Sequence, residues 1–416
     1  MTEPDPQIET PEEFRLRARD WLADNMPLRP EGLGYVRDIE RCRELQPILY
    51  EGGFAGVCFP KEYGGLGLTL EHQRVLDEET LQYEMPLALN IPTFGIIGAT
   101  LVEFCNHEQK KRYLPPMIRG EEVWVQFLSE PSSGSDLASL TTRATLDGDA
   151  FVLNGSKIWS SGAHAADYGM LVARSNWNVP KHDGISVLIV KIRQPDITVE
   201  QIVDTGGGTE FCQEFFDDVR IPVDNVIGKV DAGWTVVRGL LAHERNSMGN
   251  ASIYTSGLQT APSERARSEI MELALGSGRA TDPQVRQIVA EDYALRFVQE
   301  EAARCVGAGM ATGHFPPTAG ALLRLMGARA AVRRSDMALA IAGTGAAAWH
   351  AGDSTEWVGT RFVGRQAAEI GGGTTEMQRN LISERMLMMP REFAADRGVP
   401  FNEVRHNAAP ARGGKG

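Results

Sequence analysis

Over the first part of the chain apolar residues recur at helical spacing: Phe14, Ala18, Trp21 and Leu22, then Leu45, Ile48 and Leu49, then a Glu-rich stretch over 70–83. Breaks are expected at residues 27–30, 60–67 and 115–116, where proline removes a backbone donor and glycine loosens the helix. From about Val123 to Ile227 the period shortens to two. Val123, Val125 and Phe127 alternate with other residues, and Asp147-Gly148 and Asn154-Gly155 stand between apolar runs as hairpin signals. Stretches 168–173, 185–192 and 197–203 continue as short strands with no helix between them, which predicts an antiparallel sheet or barrel and not a βαβ series. The helical period returns from Trp234 to Met389, with long segments over 285–306, 320–342 and 375–388. The expected organisation is an α+β fold: a helical domain over 1–121, a central antiparallel β domain over 122–232, a second helical domain over 233–391 and a loose tail over 392–416.

The remaining bulk properties narrow the partners. A chain of 416 residues exceeds the usual ~100–200 residues of one domain. With 42% hydrophobic and 23% charged residues it reads as globular. A net charge of −13 repels polyanions, which argues against nucleic acid as a partner. The five cysteines, Cys42, Cys58, Cys105, Cys212 and Cys305, are far apart and form no CxxC pair, as expected of reduced thiols in a cytoplasmic protein. Residues 1–13 are acidic and no run approaches the ~18 apolar residues of a membrane span, so neither export nor insertion is expected. There is no HExxH, Walker loop, GxSxG or GxGxxG after a strand, and no metal site is expected.

Four segments carry candidate chemistry. Ser129-Glu130-Pro131-Ser132-Ser133-Gly134-Ser135-Asp136 is a turn dense in donors after a strand; alone it reads equally as a surface turn. Asn154-Gly155-Ser156-Lys157-Ile158-Trp159-Ser160-Ser161-Gly162 is expected as a hairpin that presents an indole and two hydroxyls to a planar heteroaromatic group; the plain reading is a core tryptophan. On the helix over 232–248, Val237, Leu241 and Met248 form an apolar stripe, and Glu244 shares that face. A carboxyl in apolar surroundings has a raised pKa and suits a proton acceptor, whereas a Glu paired with Arg245 is the structural alternative. In Gly371-Gly372-Gly373-Thr374-Thr375-Glu376-Met377-Gln378-Arg379 three glycines lead into a helix, with Thr375 and Gln378 at capping-box spacing.

Taken together these residues resemble the acyl-CoA dehydrogenase family over about Pro11 to Arg391. The resemblance rests on five ordered segments: Pro60-Lys61-Glu62-Tyr63-Gly64-Gly65-Leu66-Gly67, the Ser129 turn, Asn154-Gly155-Ser156-Lys157-Ile158-Trp159, Phe216-Asp217-Asp218-Val219-Arg220-Ile221-Pro222, and Gly373-Thr374-Thr375-Glu376-Met377-Gln378-Arg379-Asn380. It implies an N-terminal α-helical domain, a central antiparallel β-barrel and a C-terminal four-helix bundle. It further implies FAD, with Leu128, Ser129, Ser160 and Ser161 at the isoalloxazine edge and Trp159 packed on the ring. Gly373, Thr374 and Glu376 would lie on the ribityl and phosphate side, and Ser135, Arg245 and Gly372 on the acyl-CoA side. The implied activity is α,β-dehydrogenation of an acyl-CoA to the trans-2-enoyl-CoA, with electrons leaving to an electron-transfer flavoprotein.

Two positions depart from that family pattern. Many members carry a catalytic Glu where this chain has Gly372; a minority place it on the helix after the barrel, before an Arg, which Glu244-Arg245 matches. The family's Arg-x-x-Phe-Gly segment, which reaches a neighbouring subunit's FAD, has no match between about Leu258 and Gln299, and Arg279 or Arg286 would have to replace it in a homotetramer. The alternative is a heterotetramer in which a paralogous acyl-CoA dehydrogenase supplies the missing half. Two other readings of the family resemblance are a flavin-dependent monooxygenase or oxidase and a non-catalytic subunit of a heteromeric dehydrogenase.

Overall fold

The computed structural model describes residues 9–29, 38–248, 252–257, 267–350 and 352–404. The first eight residues of the acidic start, residues 258–266 of the segment searched for the Arg motif, and the last part of the tail, 405–416, lie outside the described residues.

Five α-helices form the first block: α1 (Pro11–Asn25), α2 (Ile39–Glu51), α3 (Leu70–Glu79), α4 (Ala99–Phe104) and α5 (His107–Ile118). α1 opens with a capping box in which Thr10 Oγ1 accepts from the Glu13 backbone N–H at 3.3 Å, while Glu13 Oε2 accepts from the Thr10 N–H at 2.8 Å. Its Phe14, Ala18 and Leu22, one turn apart, are fully buried; full burial of a large apolar side chain contributes roughly 1.5–3 kcal/mol. The break expected at 115–116 is absent, because both prolines lie inside α5. The carbonyls they leave without helical donors belong to Lys111 and Arg112, both exposed residues. Contrary to the sequence expectation, the stretch Leu87–Phe104 has the length and composition of a membrane span; 61% of it is buried inside the protein, as in a core helix.

The central block is one eight-stranded sheet: β1 (Trp124–Phe127), β2 (Arg143–Asp147), β3 (Ala150–Ser161), β4 (Tyr168–Arg174), β5 (Ile185–Lys191), β6 (Ile197–Gln201), β7 (Phe211–Pro222) and β8 (Val226–Ile227). The order is β6-β7-β3-β2-β4-β5-β8, with β1 beside β4. The expectation of a purely antiparallel sheet is corrected in two places. β1 pairs with β4 in parallel, from Trp124↔Tyr168 to Phe127↔Leu171, and β2 meets β4 in parallel at Arg143↔Arg174. The β2–β3 hairpin, lying between β1 and β4 in the chain, supplies the crossover that a parallel pair requires. Asp147-Gly148 is the hairpin turn as expected, but Asn154-Gly155 is not a turn. It sits inside β3, where the register against β7 shifts between Leu153 and Gly155. Gly155 has φ 144, and a Cβ there would meet Thr142 Oγ1 at 2.7 Å, so the bulge requires glycine.

Six further α-helices follow among the described residues: α6 (Trp234–Met248), α7 (Glu269–Gly276), α8 (Pro283–Ala311), α9 (Gly320–Ala342), α10 (Glu356–Gly364) and α11 (Thr375–Leu381). α9 is their hub, touching α6, α7, α8, α10 and α11. Ile270, Ala274, Val285, Met337, Ala338, Ile341, Ala346 and Val358 form a core separate from the large one shared by the first two blocks. Part of the segment after Arg391 is docked on the sheet. The Phe401 N–H donates to Val179 O at 2.8 Å, its buried ring lies 3.8 Å below the Arg174 guanidinium, and Asp396 pairs with Lys181 at 2.6 Å.

Candidate active site

α6 buries Val236, Val237, Leu240 and Ser247 against the segment Asn90–Gly98 and α4. The stripe expected through 237, 241 and 248 is therefore rotated: Val237 is core, Leu241 is half-buried and Met248 is 51% exposed. Glu244 is half-buried at the edge of that face, with groups from β1 and α9 around its carboxyl. The Gln126 side chain, from β1, is within hydrogen-bonding reach, and Arg245 and Arg324 are its charged neighbours. Burial pushes the Glu244 carboxyl above the ordinary carboxylate range, opposed by Arg245, Gln126 and Arg324. The same burial lowers the Arg245 and Arg324 guanidinium groups, with Glu244 opposing in each case.

Arg324, on α9, links this carboxyl to the glycine turn before α11. Its Nη2 donates to Ala368 O at 2.8 Å and to Gly371 O, while its Nε is buried without a protein partner. Gly372 and Gly373 have φ of 67 and 87, in the region that favours glycine. The cap of α11 is Thr374 and not Thr375: Thr374 Oγ1 accepts from Met377 N–H at 3.2 Å, which leaves the Thr375 hydroxyl to donate to Glu376 at 3.1 Å. Gly373, Thr374 and Glu376 thus follow directly on Gly372 along the same turn.

The other expected residues gather at the far end of β1. The Ile158 N–H donates to Ser129 O at 3.0 Å, and Lys157 Nζ donates to Leu128 O at 2.9 Å. Lys157 is fully buried and also pairs with Glu130 at 2.9 Å, whose carboxylate accepts from the Thr141 and Thr142 N–H groups. The turn and the Trp159 segment are consequently one unit. That segment is not a hairpin. Trp159 is the extra residue of a second bulge in β3, with φ 69, and its ring is 56% exposed with only an edge against Phe211 at 5.8 Å. Ser160 points inward and donates to Glu214 at 3.1 Å, whereas Ser161 is half-buried. Ser135 is exposed in the same turn, next to Asp136, which pairs with Lys181 at 2.9 Å.

β1 joins the two groups, since Gln126 reaches Glu244 and Leu128 and Ser129 follow two and three residues later. Gln126 and Arg324 were missed in the sequence. A polar residue between Val125 and Phe127 was the one available signal for Gln126; Arg324, in an Ala-rich helix 80 positions from Glu244, carries none.

The chain matches three family models described as acyl-CoA dehydrogenase domains: N-terminal over residues 9–121, middle over 126–219 and C-terminal over 231–387. Among curated proteins it is 33% identical over 390 residues to acyl-CoA dehydrogenase IpdE1 of Mycobacterium tuberculosis, covering 92% of this chain and 98% of that protein. It is likewise 33% identical over 399 residues to the protein of the same name in Mycolicibacterium smegmatis, covering 92% and 98%. Among solved structures it resembles a Tcur3481-Tcur3483 steroid ACAD with TM-score 0.74 at 29% identity, covering 94% of this chain and 100% of that one. It also resembles the ChsE4-ChsE5 complex from Mycobacterium tuberculosis with TM-score 0.69 at 25% identity, covering 94% and 100%.

Proposed function

The chain belongs to the acyl-CoA dehydrogenase family of flavin-dependent oxidoreductases, and from that premise we propose that it dehydrogenates an acyl-CoA thioester between the α and β carbons, with FAD as cofactor and Glu244 as the base. The observation that carries the reading is that Arg324 stands beside both Glu244 and Gly372. The turn that in many members holds the base has no side chain here, and a carboxyl of raised proton affinity faces the same space from α6. Burial raises the proton affinity of Glu244, as suits a base, while Arg245, Gln126 and Arg324 oppose that rise. The Gly372 N–H is the donor assigned to the thioester carbonyl, and Ser135 stands on the CoA side. FAD, when bound, supplies the hydride acceptor.

The residues of the β1 end fit such a cofactor. An indole more than half exposed on a strained bulge, held beside the Ser129 turn, offers a flat apolar face next to backbone donors. Leu128, Ser129 and Ser161 are assigned to the ring edge. Ser160, whose hydroxyl is turned to Glu214, supports them from behind. Gly373, Thr374 and Glu376 are assigned to the ribityl and phosphate part. The eight strands closing as a barrel and the last helices packing as a four-helix bundle belong to the same reading.

Assembly with an unlike chain is the second part of the proposal. Arg279, one of the two candidates to replace the missing Arg motif, is engaged within its own chain: it donates to Ala340 O and Ile341 O and pairs with Asp282 at 2.7 Å. On α8 the only buried hydrophobics among described side chains are Val285 and Val306, while Tyr293, Phe297 and Val298 are exposed. A second subunit would cover that stripe. A heterotetramer with a paralogue, an electron-transfer flavoprotein as acceptor and a bulky acyl group such as a steroid side chain complete the reading, in keeping with the similar steroid ACAD and the ChsE4-ChsE5 complex.

The deciding experiment is Glu244→Gln in the FAD-containing complex. FAD content is expected to remain, and exchange of the substrate α-proton with solvent to fall by roughly 10²–10⁴. Near wild-type bleaching of the flavin by acyl-CoA in that variant would remove Glu244 from the reaction. Rapid oxidation of the reduced flavin by O2, with no benefit from an electron-transfer partner, would favour the oxidase reading.

A further inference from the structure

Directly behind the bulge that presents Trp159 lies a buried carboxyl, Glu214, to which the reaction assigns nothing. It is fully buried on β7, its Oε2 accepts from Ser160 Oγ at 3.1 Å, and its Oε1 is buried without a protein partner. In the β3–β7 register it is paired with Lys157, two residues before Trp159, and it hydrogen-bonds to the residue after Trp159. Glu214 therefore spans the bulge from below.

We propose that Glu214 is a positioning residue for the flavin-facing edge: by holding Ser160 inward it keeps Trp159 and Ser161 turned outward. The inference rests on the flavin reading above for what the edge receives, but not for the geometry. A non-glycine residue at φ 69 is a strained conformation, and such strain persists only where the flanking groups over-determine it. On one side, Lys157 is fixed by Glu130 and Leu128 O, and the Ile158 N–H by Ser129 O. On the other side of Trp159, the Ser160–Glu214 bond is the side-chain tie. If it is released, the strand can return to regular alternation, which would swing the indole toward the inner face.

The electrostatics suit a neutral clamp. Around Glu214 stand Lys157 and Ser160 from β3 and Cys212 from its own strand; His164 lies beyond, 3.5 Å from the Cys212 sulfur, and Glu130 already shares Lys157. Burial pushes Glu214 up to about 8, so at neutral pH it is largely the uncharged acid and adds no second negative charge beside Lys157. An uncharged acid and a glutamine present nearly the same shape and both can hold a hydroxyl. That equivalence gives the test its rescue arm.

The test is backbone hydrogen exchange of the peptide covering residues 157–161 at pH 7, in the protein without added FAD, for wild type, Glu214→Leu, Glu214→Gln and Ser160→Ala, together with the visible spectrum of each FAD-loaded complex. Glu214→Leu and Ser160→Ala are expected to raise exchange in that peptide by roughly tenfold, the size expected from losing one buried hydrogen bond, and to alter the flavin band shape. Glu214→Gln is expected to match wild type in both. Should Glu214→Leu fail to fold, Ser160→Ala decides alone. Unchanged exchange in Ser160→Ala, or a Glu214→Gln protein as loose as Glu214→Leu, overturns the proposal. A wild-type complex that binds no FAD would sink the flavin reading while leaving the exchange result to decide the clamp.

Discussion

A Cβ on Gly372 would lie 3.2 Å from Nε of Arg324 and 3.9 Å from the Met248 side chain. The guanidinium thus stands where a side chain at 372 would point. A Glu introduced there meets a cation that would hold it ionised, on a backbone of φ 67 that costs a side-chain-bearing residue roughly 1–2 kcal/mol. The double variant Glu244→Gln, Gly372→Glu is therefore expected to recover no more than about one part in a hundred of the wild-type rate, since a general base contributes at least that factor. Steady-state turnover and α-proton exchange check this; recovery to near the wild-type rate would show that the two positions are interchangeable.

Arg324 also bears on the pH dependence expected of Glu244 as the proposed base. Burial raises Glu244 and Arg324 opposes that rise. A base acts when deprotonated, so kcat/KM is expected to climb as pH rises through the raised value and to level off above it. Arg324→Leu removes an opposing charge and is expected to move this acid limb to higher pH. A limb that stays in place, or moves down, counts against the contact. For stability the sign is the same as for any raised carboxyl: its stabilising contribution is present at low pH and lost as pH rises through the folded value, and Glu244→Gln is expected to abolish that loss.

Trp159→Ala separates cofactor binding from folding. The ring is 56% exposed, and its aromatic contact is the edge of Phe211, so its removal is expected to change unfolding free energy by about 1 kcal/mol or less. FAD affinity and the visible flavin spectrum are expected to change clearly. A large drop in stability with an unaltered spectrum would assign the indole to the core instead.

Phe401 ties the segment over 396–404 to the sheet. It is fully buried, with Arg174 3.8 Å from its ring centroid and Trp177 at 5.3 Å. Phe401→Ala is expected to cost about 3–5 kcal/mol, read from the denaturation midpoint, and to open 392–404 to protease. Arg174, held down at about 10 by burial, would then lose the ring that covers its charge. Wild-type stability in this variant would mean that the docked segment contributes nothing to the fold.

The order of helical block, strand block and helical block was legible because periods of 3.6 and 2 are local properties of a few residues in a row. So were Asp147-Gly148 as a turn and the four segments that hold Ser129, Trp159, Glu244 and Gly372. The same local signals misled wherever distant chain decided the outcome. Asn154-Gly155 has turn chemistry, yet β7 pairs with β3 on both sides of it and makes it a bulge; Pro115 and Pro116 read as a break, yet both lie inside α5, where the carbonyls they leave without donors belong to exposed residues. The last residues looked loose by composition, yet Phe401 finds the face of Arg174. Local pattern decided which residues form helices and strands. Only the tertiary structure could bring Arg324 beside both Glu244 and Gly372, and join Glu214 to Lys157 and Ser160 around the Trp159 bulge. Those contacts join residues tens to more than a hundred positions apart, and burial, which sets their charge and strain, is a property of the whole packed chain.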